Sequence, residues 1–141
     1  MLYIVDANVA VKWFIHEPHR DKAMTLLVGF RSKRWDLAAP DHMVAEVGST
    51  LWKKSALRHE ISESEARGAH ADLVALGLKL HPTPALIPAA LQLAIQEHHP
   101  IYDMAYVVLA KQLGCQFITA DEKLVNGLGK KFPFVRWLGS L

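Results

Sequence analysis

Residues 102–121, YDMAYVVLAKQLGCQFITAD, contain two apolar runs that are separated by Gly114 and have an aspartate near each end. The first run, 104–113, fits a helix that would rise ~15 Å at ~1.5 Å per residue. The second run, 116–120, fits a strand that would return ~16 Å at ~3.3 Å per residue. Because the two lengths match, Asp103 and Asp121 are predicted to lie at the same edge of the domain. Two carboxylates at one edge suggest a site for a cation.

Length and composition limit the class of protein. The 141 residues fit a single domain spanning 1–141, and 51% hydrophobic with 21% charged residues indicates a folded chain. No apolar run approaches the ~18 residues of a membrane span, and the amino terminus lacks the basic region of a signal peptide. We therefore expect a cytoplasmic protein without membrane contact. The single Cys115 excludes an intramolecular disulfide and a cysteine-based zinc site.

Short apolar runs alternate along the chain with segments of helical periodicity. Strands are predicted over 2–5, 37–40, 78–81, 116–120 and 134–138. Helices are predicted from Asn8, over 18–30, from 41 past Leu51, and over 63–76, 83–98, 104–113 and 122–128. Strands that alternate with helices indicate an α/β fold, in which a parallel sheet is covered by helices on both faces.

Four acidic residues are expected at the carboxyl-end edge of this sheet. Asp6 follows the first strand, Asp121 follows the fourth, Asp103 opens the preceding helix, and Glu46 lies in the second turn of the helix after the second strand. Ligands of parallel sheets bind at this edge. Four carboxylates without matching cations repel one another unless their pKa values rise or a metal binds. Oxygen ligands select Mg²⁺ or Mn²⁺ rather than zinc.

Helix capping is the competing interpretation of three of these acids. Aspartate is a preferred N-cap, so capping alone explains Asp6, Asp103 or Asp121 when each is taken singly. Capping gives no reason for Glu46, and the coincidence of four acids at one edge favours a functional site. Asn8 and Thr119 lie two positions from an edge acid, where they either hydrogen-bond a ligand carboxylate or its water, or cap the chain.

Histidines and short motifs give no competing site. His16 with His19, and His98 with His99, lack a third ligand at a familiar zinc spacing. No glycine-rich phosphate loop and no serine nucleophile elbow occurs. The net charge of +2 permits a nucleic-acid partner without demanding one.

Three segments resemble the successive motifs of PIN-domain ribonucleases, most closely the VapC-type toxins of bacterial toxin–antitoxin pairs: YIVDANVAVKWF, PDHMVAEVGSTLWK and IYDMAYVVLAKQLGCQFITAD. The resemblance implies a three-layer α/β/α fold with a five-stranded parallel sheet in the order 3-2-1-4-5. It also implies Mg²⁺- or Mn²⁺-dependent cleavage of RNA, a small protein antitoxin as partner, and a homodimer. The implied acidic set is Asp6, Glu46, Asp103 and Asp121, and Asn8 and Thr119 match its polar neighbours.

A mechanism follows as an expectation. Asp6 and Asp103 would bind metal directly, Asp121 directly or through water, and Glu46 would bind metal or orient the attacking water. Basic side chains would guide the RNA backbone, and the candidates are Lys12, Arg31 and Lys53. The alternative is a catalytically silent PIN-like binding or assembly module.

Overall fold

A computed structural model describes all 141 residues as an α/β fold. The strands are β1 (Leu2–Val5), β2 (Asp36–Pro40), β3 (Lys79–His81), β4 (Gln116–Thr119) and β5 (Val135–Trp137). The helices are α1 (Ala7–Ala10), α2 (Arg20–Arg31), α3 (Met43–Trp52), α4 (Glu63–Ala75), α5 (Ile87–Glu97), α6 (Ile101–Leu113) and α7 (Glu122–Leu128). Short 3₁₀ turns occupy Val11–Trp13, Thr83–Ala85 and Leu138–Ser140, and a π-helical turn continues α3 over Lys53–Leu57.

The five strands form one parallel sheet in the order β3-β2-β1-β4-β5, which confirms the expected topology. The chain moves outward from β1 to β3, then crosses back to β4 and continues to β5. Because crossovers between parallel strands are right-handed, the helices of these two halves cover opposite faces. The order of strands therefore reverses between β1 and β4, and ligands of such sheets bind at this switch point.

The core is built on the two central strands and on α6. Ile4 of β1 pairs with Phe117 of β4, and both side chains are fully buried. Every residue of the predicted apolar run from Met104 to Ala110 is also buried, because α6 packs between the sheet and α5. None of the seven helices has both the length and the apolar character needed to cross a membrane.

Several helix boundaries differ from their predicted positions. Helix α6 begins at Ile101 rather than Met104, because Pro100 occupies the N-cap position with a non-helical backbone and a helix can start directly after it. Helix α2 begins at Arg20 rather than Pro18, because His19 adopts a left-handed conformation (φ 64°) just before it. The capping box of Ser62 and Glu65 forms as predicted at the start of α4.

Candidate functional site

A cavity of about 250 Å³ lies beside the ends of β1 and β4, and all four predicted acids line it. We call it the acidic cavity. Its lining consists of Asp6, Ala7, Asn8, Glu46, Ser49, Thr50, Lys53, Asp103 and Asp121. Four of these residues are acids and one is a cation, so the charge of the cavity is not balanced by the protein. The position and contacts of each acid therefore have to account for this excess of negative charge.

Asp6 is the most deeply buried acid, with 5% of its surface exposed. It stands directly before α1, yet its side chain makes no capping hydrogen bond, so the capping interpretation is wrong for this residue. The hydroxyl of Thr119 donates to Asp6 Oδ2 at 2.8 Å. Burial, with a smaller contribution from the charges of Glu46 and Asp103, raises the pKa of Asp6 to about 7 in spite of that hydrogen bond.

Asp103 and Asp121 differ in their relation to their helices. Asp103 lies in the first turn of α6, not at its N-cap, and its pKa is raised first by burial and then by the charges of Glu46 and Asp121. Asp121 is the N-cap of α7, and its Oδ1 accepts from the backbone N–H of Leu124 at 3.1 Å. Capping therefore explains the contact of Oδ1, but it does not explain why Asp121 lines the acidic cavity.

Glu46 reaches the cavity from the first turn of α3, one turn earlier than predicted because α3 begins at Met43. The hydroxyl of Tyr106 donates to Glu46 Oε1 at 2.8 Å. Burial raises the pKa of Tyr106 well above its usual range, and the charges of Asp6 and Glu46 add to this rise. His42 Nε2 lies 3.2 Å from the same Oε1, but the contact lacks the alignment of a hydrogen bond.

The donor set of the cavity fits a hard divalent cation. Carboxylate oxygens dominate it, and Mg²⁺ and Mn²⁺ prefer such ligands. The raised pKa values of Asp6 and Asp103 mean that their charged forms lack a compensating cation. In their present conformations, no three histidine, cysteine or acidic side chains form a ready-made metal cage. An ion at this position would therefore require the carboxylate side chains to move.

Residues 3–127 match the family described as PIN domain. The chain belongs to the PIN domain family. One relative, Ribonuclease VapC3 of Pyrobaculum aerophilum, is 30% identical, and the alignment covers 94% of this chain and 96% of that protein. The match to the PIN domain family and the relative named Ribonuclease VapC3 confirm the resemblance that was based on the three sequence motifs.

Solved structures show the same PIN fold at low sequence identity. Mycobacterium tuberculosis VapC20, described as a sarcin-ricin loop cleaving toxin, has a TM-score of 0.67 with 15% identity, and 95% of this chain and 98% of that chain are covered. Rickettsia felis VapBC2, solved bound to a DNA fragment from their promoter, has a TM-score of 0.61 with 15% identity and 97% coverage of both chains. At such identities the likeness concerns the fold.

Two polar residues tie the central strands of this PIN domain together. Asn8 Oδ1 accepts from the backbone N–H of Ala120 at 3.0 Å, and Asn8 Nδ2 donates to Thr119 Oγ1 at 3.3 Å. Thr119 Oγ1 in turn accepts from the backbone N–H of Asp121 at 3.1 Å while it donates to Asp6. Thr119 thus contacts an acid directly, whereas Asn8 holds the backbone at the end of β4.

The three basic residues expected to guide RNA have different surroundings. Lys53 lines the acidic cavity of the PIN domain. Lys12 is buried and its Nζ lies 3.3 Å from Glu17 Oε1, so its charge is already neutralised by that carboxylate. Arg31 lines a separate cleft with Asp36, the first residue of β2, at the opposite edge of the sheet. Of the three, only Lys53 is placed beside the acids, and the geometry does not favour RNA contact by Lys12 or Arg31 at this site.

Four side chains near the acids were not assigned a role from the sequence. Ser49 and Thr50 follow Glu46 at helical spacing on the polar face of α3, so periodicity was the signal that could have placed them. His42 precedes Glu46 by one helical turn and meets it locally, whereas Tyr106 meets Glu46 through tertiary packing. Tyr106 is 60 positions from Glu46, and no local pattern indicates such a contact.

A second group of charges lies where α3 continues into its π-helical turn, and we call it the buried ion network. Lys54 Nζ contacts Glu17 at 2.9 Å and Glu60 at 3.3 Å, and Lys12 contacts Glu17 at 3.3 Å. Burial opposes ionisation of Glu17, but its hydrogen bond with Lys54 and the charge of Lys12 outweigh this effect and lower its pKa. The hydrogen bond with Glu17 raises the pKa of Lys54 against desolvation.

Proposed function

We propose that the acidic cavity is the active site of a divalent-metal-dependent endoribonuclease, which acts as the toxin of a toxin–antitoxin pair. The observation that carries this proposal is the unbalanced charge of the cavity, where burial and neighbouring carboxylates raise the pKa of Asp6 to about 7. Membership of the PIN domain family and the relative named Ribonuclease VapC3 support the class of reaction.

Asp6, Asp103 and Asp121 are proposed to hold Mg²⁺ or Mn²⁺, directly or, for Asp121, through water. When bound, such an ion activates a water molecule and stabilises negative charge on a phosphodiester. Thr119 fixes one oxygen of Asp6 and leaves the other for the ligand. Asp121 divides its two oxygens in a similar way, because Oδ1 accepts from the backbone of α7.

The α3 side of the cavity is proposed to bind the substrate. Glu46 orients the attacking water, since its carboxylate faces the same cavity as the three aspartates. Lys53, the single cation of the lining, offsets the charge of the RNA phosphate, and the hydroxyls of Ser49 and Thr50 donate hydrogen bonds to its oxygens. In this proposal, the carboxylate that orients the water and the groups that donate hydrogen bonds to the phosphate lie on one face of α3.

The proposed partners follow from the family. A small protein antitoxin would cover the acidic cavity, and the fold shared with Rickettsia felis VapBC2 supports this kind of partner. A homodimer and a cytoplasmic location are part of the same proposal. Coexpression with the protein encoded next to this chain should suppress RNA cleavage, whereas a neighbour that neither binds nor inhibits would count against the toxin assignment.

The decisive experiment compares RNA cleavage by matched aspartate variants. Purified wild-type protein should cleave total RNA with Mn²⁺ and stop when EDTA is added. Asp6→Asn and Asp103→Asn should each lower the rate by more than about a hundredfold, because each removes a charged ligand. Asp36→Asn is the control, since Asp36 is exposed at the opposite edge and pairs with Lys79.

A second readout does not require cleavage. Mn²⁺ should raise the melting temperature of the wild type, by an amount that corresponds to about 2.7 kcal/mol at a hundredfold excess over Kd. Asp6→Asn should reduce this shift, and Asp36→Asn should preserve it. Undiminished cleavage by Asp6→Asn, or cleavage that persists in EDTA, would contradict the assignment of the acidic cavity as a metal-dependent nuclease site. A wild-type protein that binds partners but cleaves no RNA would leave the silent binding module as the better description.

A further inference from the structure

Tyr106 holds Glu46 from the α6 side of the acidic cavity. Its ring is fully buried and stacks on Phe117, with ring centroids 5.3 Å apart and planes inclined by 14°. Because the buried ring is held by packing, the hydroxyl has a defined position. That hydroxyl donates to Glu46 Oε1 at 2.8 Å, so Tyr106 restricts where the carboxylate can lie.

His42 approaches the same carboxylate from one helical turn earlier, and its own ring is held in place. Thr83 Oγ1 donates its only hydrogen to Asp41 Oδ1 at 2.6 Å, and it lies 2.9 Å from His42 Nδ1. Since the hydroxyl hydrogen is already used, Nδ1 must be the donor in this contact. The ring also contacts Tyr106, with centroids 5.2 Å apart.

The two side chains converge on one atom of Glu46. His42 Nε2 lies 3.2 Å from Oε1, the oxygen that already accepts from Tyr106. With Nδ1 donating to Thr83, Nε2 carries a hydrogen for Oε1 only in the doubly protonated ring, and small rotations would then align this contact as a hydrogen bond. Oε2 of Glu46 has no hydrogen-bond partner from the protein, although the residue lines the acidic cavity. One carboxylate oxygen is therefore held by the protein and the other is left for a ligand.

We propose that His42 and Tyr106 are positioning residues, which hold Oε1 of Glu46 so that Oε2 is presented to the attacking water. This inference rests on the proposed nuclease function and deepens it. Neither residue touches the substrate, so both act through Glu46. Their removal should lower kcat and leave KM for RNA unchanged, because orientation of the water matters in the transition state rather than in substrate binding.

Tyr106→Phe is the first test, because it removes the hydroxyl and keeps the ring that stacks on Phe117. We expect kcat to fall roughly tenfold to a hundredfold, as for loss of a hydrogen bond to a charged group. KM should remain within about twofold of the wild-type value, well under a tenfold step. A Tyr106→Phe enzyme with wild-type kcat would overturn the role of this hydroxyl.

His42 offers a matched pair of substitutions. The amide nitrogen of asparagine can replace Nδ1, so His42→Asn keeps the contact to Thr83 and loses the contact to Glu46. The longer glutamine reaches the position of Nε2, so His42→Gln keeps a donor for Glu46. We expect His42→Asn to lose clearly more activity than His42→Gln. The reverse order would show that His42 acts through Thr83 and overturn the proposal.

A double-mutant cycle separates positioning from an independent role. If Tyr106 acts only through Glu46, then Tyr106→Phe should have no further effect on kcat in a Glu46→Gln background. The same holds for His42→Asn. Equal fold-losses in the wild-type and Glu46→Gln backgrounds would mean that the two effects are additive, and the proposal would fall.

Carbon-13 NMR of the glutamate carboxyl groups supplies a readout that needs neither metal nor cleavage. In metal-free protein, Tyr106→Phe and His42→Asn should move the Glu46 resonance and leave the resonance of exposed Glu63 in place. An unmoved Glu46 resonance would overturn the positioning role. If the wild type cleaves no RNA, the proposed function fails, and this resonance still decides whether His42 and Tyr106 hold Glu46.

Discussion

The acidic cavity and the buried ion network contain similar side chains but balance their charges in opposite ways. In the ion network, Glu17 lies between Lys12 and Lys54, and every charge has a partner within 3.3 Å. In the acidic cavity, four carboxylates face one another and one lysine. Helix α3 and its π-helical turn contribute to both regions, so the difference does not arise from distant parts of the fold.

The directions of the pKa shifts express this difference. In the network, pairing lowers the pKa of Glu17 and raises that of Lys54, so the folded protein favours both charges. In the cavity, burial and repulsion raise the pKa values of Asp6 and Asp103, so the folded protein disfavours their charges. Charges that serve the fold are neutralised internally, and charges left unbalanced are available to an external cation.

Removing Glu17 should have the largest effect on stability. Glu17→Gln leaves Lys12 without its partner and removes one of the two partners of Lys54, which should lower the free energy of unfolding by about 2–3 kcal/mol. Urea denaturation at pH 7 measures this loss. The control is Glu63→Gln, whose pair with Arg67 is exposed and contributes little. Equal effects of the two substitutions would remove the distinction between the network and an ordinary surface pair.

Asp6→Asn should have the opposite sign in metal-free protein. The substitution removes a disfavoured charge and keeps an oxygen to accept from Thr119, so the free energy of unfolding at pH 8 should rise by about 1–3 kcal/mol. Thermal and urea unfolding in EDTA measure the change. A less stable Asp6→Asn protein would indicate that the ionised carboxylate serves the fold, as Glu17 does.

The two regions should also respond to pH in opposite directions. The pKa of Asp6 is raised, so between its unfolded value of 3.8 and about 7 the folded state binds the proton more tightly. Stability without metal should therefore increase as pH falls from 8 to 6, by up to ~1.4 kcal/mol per unit. The pKa of Glu17 is lowered from 4.5, so its contribution is present above that value and is lost at lower pH.

Variants assign each pH response to its residue. The difference between wild type and Asp6→Asn, measured by unfolding in EDTA, cancels the contributions of all groups that the two proteins share. This difference should shrink between pH 8 and 6, and the difference between wild type and Glu17→Gln should shrink below pH 4.5. A constant difference for Asp6→Asn would contradict the unbalanced charge of the cavity.

Substitutions of Asp121 should have the smallest effect on stability. They can separate its role as the cap of α7 from its proposed role as a metal ligand. Asp121→Asn keeps an oxygen for the N–H of Leu124, whereas Asp121→Ala removes the cap of α7. Asp121→Ala should therefore be about 1 kcal/mol less stable than Asp121→Asn. Both substitutions remove the charge, so both should weaken the Mn²⁺-induced thermal shift. A shift that is retained in Asp121→Asn would limit Asp121 to capping.

The fold and the four acids could be predicted because local patterns determine both. The apolar run from Met104 to Ala110 defines α6, and strand ends identify Asp6 and Asp121. The surroundings of Lys12 could not be predicted. Its partner Glu17 lies beyond a turn and also pairs with Lys54, which is distant in the sequence. The hold on Glu46 depends on Tyr106, 60 positions away. Long-range packing leaves no periodic signal in the sequence.

The hydrogen bond between Asp6 and Thr119 joins residues 113 positions apart, and this separation has a consequence during translation. Strand β1 is made first but lies at the centre of the sheet, and its neighbour β4 is made more than a hundred residues later. Since a nascent chain folds from its amino terminus onward, Asp6 meets Thr119 and Asp121 only after β4 has left the ribosome. The acidic cavity is therefore incomplete throughout most of synthesis, and any activity that depends on it begins late.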